Sequence, residues 1–145
     1  MADVHSPETR SFNMSQIKGK NTKPEEMVRK YLFSHGFRYR KNVQNLPGKP
    51  DIVLTRYKSC IFVNGCFWHK HEGCKYFVWP KSNAEFWKQK ITGNVERDFR
   101  QQRELQTMGW NTIVIWECQL RKDMFEETMI NVVRMLKSNI LLEEK

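Results

Sequence analysis

Between positions 66 and 74 the chain reads Cys66-Phe67-Trp68-His69-Lys70-His71-Glu72-Gly73-Cys74, and no other stretch restricts its fold so much. Thiols and imidazoles at this density, spaced by polar residues and glycine, form half of a Zn²⁺ site. The alternative is a group of buried thiols with surface histidines. Four cysteines are present, Cys60, Cys66, Cys74 and Cys118. Cys118 closes the apolar run that begins at Trp110, so a neighbouring strand can bring it to the loop as the remaining ligand, whereas Cys60, next to Ile61 and Phe62, reads as core. The expected set is three cysteines and one histidine. Spacing leaves the histidine open, because Cys66 to His69 skips two residues, Cys66 to His71 skips four, and both fit zinc loops. A closed tetrahedral set has no position for substrate, so its expected role is to pin an irregular loop onto a sheet.

The rest of the chain supplies that sheet. Ser6-Pro7-Glu8 opens a short helix that ends near Lys18-Gly19-Lys20-Asn21, with Pro tolerated in the first turn. Thr22-Lys23-Pro24-Glu25 has capping-box spacing, followed by Met27, Val28, Tyr31 and Leu32 on one helical face and Gly36 as the stop. Phe37 to Val43, Pro50 to Leu54 and Cys60 to Val63 read as strands of a meander. Ser82-Asn83-Ala84-Glu85 is a second capping box, opening a long polar helix that runs to Gly109. Trp110 to Trp116 is a buried strand, and about Asp123 to Leu142 an amphipathic helix. This order predicts an α/β fold with a central sheet flanked by helices.

A chain of 145 residues is the size of one domain. No repeat, low-complexity tract or linker divides it, so a single domain over 1–145 is expected. Lys and Arg number 25 against 16 Asp and Glu, a formal charge of +9, which favours a polyanionic partner, nucleic acid first. The apolar runs are strand-sized and no secretion signal is evident at Met1, which excludes a helical membrane span and suggests a cytoplasmic location.

Pro50-Asp51 at the head of an apolar strand, after Leu46-Pro47-Gly48-Lys49, puts a carboxylate at a strand end, where a Mg²⁺-dependent hydrolase needs a hard oxygen ligand. Glu25 could face the same site and hold an outer-shell water, although a Glu three residues after Thr22 also caps its own helix. Asp51 has a plain alternative as a turn residue. The next strand, Cys60-Ile61-Phe62-Val63, carries no charge, so there only a backbone carbonyl could complete a metal shell. Proton transfer then falls to a histidine, whose ordinary pKa lies near neutrality. Phe67 and Trp68 stand in a polar loop, where they either stack on or wedge between bases or form a small core over the loop; Met14 and Trp87 pose the same question.

Gly65-Cys66-Phe67-Trp68-His69, preceded by Pro47-Gly48-Lys49-Pro50-Asp51 and followed by Phe86-Trp87, Asn94-Val95-Glu96-Arg97-Asp98, Gly109-Trp110 and Trp116-Glu117-Cys118, resembles the very-short-patch repair (Vsr) endonucleases. The likeness extends from Met14 to about Leu120. It implies a restriction-endonuclease-like core of the PD-(D/E)XK type with a central mixed sheet, a structural zinc loop, and Mg²⁺-dependent nicking of one DNA strand 5′ of the T in T·G mispairs left by deamination of 5-methylcytosine. By the same resemblance Asp51 and the Val63 carbonyl bind Mg²⁺, His69 is the general base and Glu25 assists. His71 joins Cys66, Cys74 and Cys118 on zinc. Phe67, Trp68 and Trp87, with Met14 from a DNA-contacting arm at residues 1–20, meet the duplex. A monomer that hands its product to mismatch-repair proteins is expected. Two departures stand out: Asn64 replaces a second histidine that some relatives carry, and the Cys66 to Cys74 loop holds an extra residue. The alternatives are a restriction enzyme that cuts both strands of matched DNA and a non-catalytic, zinc-stabilised DNA-binding module.

Overall fold

The computed structural model describes residues 22–144; the expected first helix and Met14 lie outside the described residues. Helix α1 (Lys23–Ser34) begins where Thr22 accepts the Glu25 backbone N–H at 3.4 Å, with Pro24 in the first turn. It ends as Gly36 takes a positive φ of 85°, which lets the Gly36 and Phe37 N–H groups bond back to Phe33 and Leu32. Strands β1 (Arg40–Lys41), β2 (Ile52–Leu54), β3 (Ser59–Asn64) and β4 (Asn111–Trp116) form one mixed sheet in the order β1-β2-β3-β4. The first three are antiparallel neighbours, and β4 lies parallel to β3, pairing Ser59 with Asn111 through to Asn64 with Trp116. A parallel neighbour requires a long crossover, here helix α2 (Ala84–Thr107). Helix α3 (Phe125–Glu144) follows β4.

Alternation along the strands sorts the core into two layers. Ile52, Leu54, Ile61, Ile113 and Ile115 face one side, under Val28 and Leu32 of α1 and Met129, Val132 and Leu136 of α3. Val53 and Cys60 face the other, against Leu105 of α2 and Val43. Both sheet faces are covered, which is why β2 and β3 read as unbroken apolar runs. Each fully buried aliphatic side chain contributes about 1.5–3 kcal/mol.

Three expectations are corrected. The first strand shrinks to two exposed residues at the sheet edge, because Asn42 turns the chain with φ 53°. Strand β2 starts at Ile52 rather than Pro50, and Pro50 has no N–H to offer a ladder. The capping box at Ser82 does not form: Asn83 enters α2 in the left-handed region, φ 54°, without a side-chain cap. Among the described residues no helix is long and apolar enough to cross a membrane.

Candidate active site and metal cluster

The strand order brings the start of β2 and the end of β3 together. Asp51 donates its backbone N–H to Ile61 at 3.1 Å, and its Oδ2 accepts the Val63 N–H at 2.7 Å, so the carboxyl is locked at the sheet's end. Helix α1 carries Glu25, 3 % exposed, against it. Burial pushes the Asp51 carboxyl up to about 7, against the lowering effect of the Val63 N–H, and the Glu25 charge raises it further. Hard oxygen donors brought together at the end of a sheet suit Mg²⁺. The Thr22 cap and the inward Glu25 are therefore compatible: the hydroxyl serves the helix while the carboxylate meets Asp51 and, at 3.5 Å, Arg29 Nη1.

A cleft of about 730 Å³ opens over this pair, lined also by Asn64, Trp68, His69 and Asp98. Gly48 forms part of its wall in a conformation with φ 77°, where an added Cβ would come within 3.1 Å of the Phe62 ring; both reasons require glycine. His69 pairs through Nδ1 with Asp98 Oδ2 of α2. An Nδ1–H donated to that carboxylate would leave Nε2 as the lone-pair nitrogen. Asn94, one helical turn before Asp98, donates to the Trp68 carbonyl at 3.0 Å and accepts from Arg97, tying the histidine's loop to α2.

Beyond the cleft wall, the ligand atoms of Cys66, His71, Cys74 and Cys118 all lie within 4.8 Å of one another. His71 turns Nδ1 to 3.4 Å from Cys118 Sγ and stacks on Trp116, centroids 4.2 Å apart. Backbone bonds wind the loop around the set, His71 N–H to Cys66 O at 2.9 Å and Cys74 N–H to His71 O at 3.2 Å. Burial pushes the Cys66 thiol up to about 12 and lowers the pKa of His71. A metal ion is what draws such a thiol into the thiolate form. The donor chemistry and convergence therefore fit a tetrahedral soft-ligand ion, and this cluster could hold a metal. Geometry thus divides the histidines that spacing left open, with His71 in the cluster and His69 in the cleft.

A sequence profile described as DNA mismatch endonuclease Vsr matches residues 2–75. The type II nicking enzyme V.NmeAIP of Neisseria meningitidis is 48% identical over 141 residues, covering 97% of this chain and 100% of that one. The chain belongs to the Vsr endonuclease family. The DNA mismatch endonuclease Vsr of Escherichia coli is 45% identical over 121 residues, 83% of this chain and 77% of its own, and the type II nicking enzyme V.XorIIP of Xanthomonas oryzae is 45% identical over 120 residues, 83% and 88% of the two chains.

Within this Vsr-family chain the aromatic residues form a connected layer. Phe67 and Trp68 meet edge to face at 5.4 Å, and both pack on Trp87 at 5.5 and 5.6 Å. Trp87, expected at a DNA surface, is instead buried, 7 % exposed, and backs Phe67 and Trp68, which stay half-buried. Sequence reasoning assigned no role to Asp98, Asn94 or Arg97. Their signal was present, since positions 94, 97 and 98 share one helical face.

Proposed function

We propose that the chain nicks one strand of duplex DNA 5′ of the T in a T·G mispair. The observation that carries this reading is the His69–Asp98 pair standing in the same cleft as the Asp51–Glu25 carboxyls. Asp51, with the Val63 carbonyl, would hold Mg²⁺, and Glu25 would order water beside it. A bound Mg²⁺ supplies polarisation of the phosphate and offsets charge on the leaving oxygen. His69 Nε2 would take a proton from water, whose oxygen bonds to phosphorus as the bond to the 3′ oxygen breaks; that oxygen takes a proton from solvent, leaving a 3′-hydroxyl and a 5′-phosphate. Asp98 keeps the imidazole in the accepting tautomer and steadies the positive charge it gains.

Phe67 and Trp68, with Met14 reaching from the arm at residues 1–20, are the side chains offered to the duplex, and Trp87 braces them. Wedging between base pairs costs a few kcal/mol per step, and a mispair lowers that cost. Cys66, His71, Cys74 and Cys118 match zinc in donor type, so the cluster holds Zn²⁺ and fixes the loop that carries Phe67, Trp68 and His69. A restriction-endonuclease-like core accounts for Asp51 at the sheet's end, and a monomer acting in the cytoplasm suffices for one nick.

A labelled duplex with one T·G mispair, run on a denaturing gel with and without Mg²⁺ beside a matched duplex, tests the reading. The expected result is one Mg²⁺-dependent nick 5′ of the T, lost in His69→Ala. Cleavage of both strands of matched DNA would instead indicate a restriction enzyme, and binding without any cut a non-catalytic module.

A further inference from the structure

Nicking at the cleft leaves Tyr76 to Lys81 without a task. This segment follows the metal ligand Cys74 and reads Tyr76-Phe77-Val78-Trp79-Pro80-Lys81. Tyr76, Val78 and Trp79 are 39%, 52% and 40% exposed, which is unusual for three apolar side chains on so short a stretch. Cations surround them. Lys70 Nζ lies 5.5 Å from the Trp79 ring, and Lys75 Nζ and Arg121 Cζ lie 5.3 and 5.0 Å from the Tyr76 ring. Over residues 70–81 three lysines face one glutamate, Glu72, which reaches Lys70 at 3.6 Å from an open position, 81% exposed.

The segment is continuous with the cleft. Phe77 joins Phe67 at 6.1 Å and Trp79 at 5.0 Å, so the aromatic layer that begins at Trp68 ends in an exposed ring. Lys70 directly follows His69 in the chain. A groove of about 430 Å³, lined by Phe67, Tyr76 and Arg121 together with Cys66 and Cys118, shares Pro24 and Glu117 with the cleft. Aromatic rings interleaved with cations on a braced loop are the surface type that tracks a nucleic-acid backbone and accepts a base or sugar face.

We propose that Lys70, Lys75, Tyr76, Trp79, Lys81 and Arg121 form a second DNA contact, separate from the mispair, that grips the sugar-phosphate backbone of one flank of the duplex. This inference rests on the reading that the cleft acts on DNA. It predicts a sequence-independent, salt-sensitive addition to affinity that appears only when the duplex is long enough to reach the patch.

The test is fluorescence anisotropy of the whole chain on T·G and matched duplexes, without Mg²⁺ so that nothing is cut, with each flank lengthened in turn. Trp79→Ala and the pair Lys75→Glu, Arg121→Glu are compared with the unaltered chain; the charge pair leaves the aromatic layer intact should Trp79→Ala disturb the loop. The unaltered chain should gain affinity as one flank grows, and both variants should lose that gain, about fivefold to tenfold. The charge pair should also lower the slope of log affinity against log salt by roughly one for each phosphate no longer neutralised. Equal losses on T·G and matched duplexes support the proposal. Variants that follow the unaltered chain at every length, or a loss confined to T·G duplexes, overturn it. Failure of the repair reading appears elsewhere, as an unaltered chain that with Mg²⁺ shows no nick beside the mispair.

Discussion

A histidine that is to accept a proton must keep one ring nitrogen bare, and Asp98 decides which nitrogen that is by pairing with Nδ1 of His69. Replacing it, Asp98→Ala, should slow nicking about a hundredfold while zinc content and the circular dichroism of the fold stay put; a rate within about twofold of the parent would remove Asp98 from the mechanism. Asp51 shows the same dependence on neighbours, since a turn aspartate becomes a buried carboxyl pushed up to about 7 through burial and the charge of Glu25. Cys60 is the opposite case among the thiols. Burial alone pushes it up to about 12 and it is fully enclosed, so at pH 8 its thiolate fraction is on the order of one in ten thousand. Native protein treated with iodoacetamide at that pH should remain unmodified at Cys60 by mass spectrometry and become modified there once urea unfolds it. Modification of the folded chain at Cys60 would show that the sheet face under α2 opens readily.

Helix α2 does two jobs, closing one sheet face with Leu105 and presenting Asn94 and Asp98 to the loop that carries His69. Its end is set by Gly109, whose φ of 95° lets the Gly109 and Trp110 N–H groups bond back to Gln106 and Leu105 at 3.0 Å. Gly109→Ala meets no neighbouring atom within 4 Å, so its cost is backbone strain alone, about 1 kcal/mol, read as a lower urea midpoint at unchanged slope. Leu105→Ala, by contrast, empties a fully buried site and should cost about 2–5 kcal/mol. A smaller loss for Leu105 than for Gly109 would mean that α2 is not anchored through this core.

At the scale of the molecule, the cluster that could hold a metal and the candidate cleft share one loop, for His69 and His71 stand two residues apart and line different sites. Stripping the metal with a chelator that spares Mg²⁺ should lower Tm, abolish nicking and leave most far-ultraviolet dichroism, because sheet and helices have their own cores while a metal would tie Cys66, His71, Cys74 and Cys118 together across the loop; metal analysis should give one zinc per chain beforehand. Retained activity after complete removal would separate the cluster from the cleft. Much of this was legible in the chain itself. Periodicity located α1, β2, β3, β4 and the later helices, Thr22 marked the start of α1, the density of thiols and imidazoles marked the loop, and the motif set pointed to the family. Local chemistry suffices there, because a helical face, a strand run or a cap depends on neighbours within a few residues. The rest needed tertiary structure. The shortness of β1, the left-handed entrance of α2 and the burial of Trp87 depend on what packs against each. The pairing of Asp51 with Glu25 and of His69 with Asp98 joins residues 26 and 29 positions apart. The raised pKa of Asp51 follows from burial and a neighbouring charge that exist only after the sheet has closed.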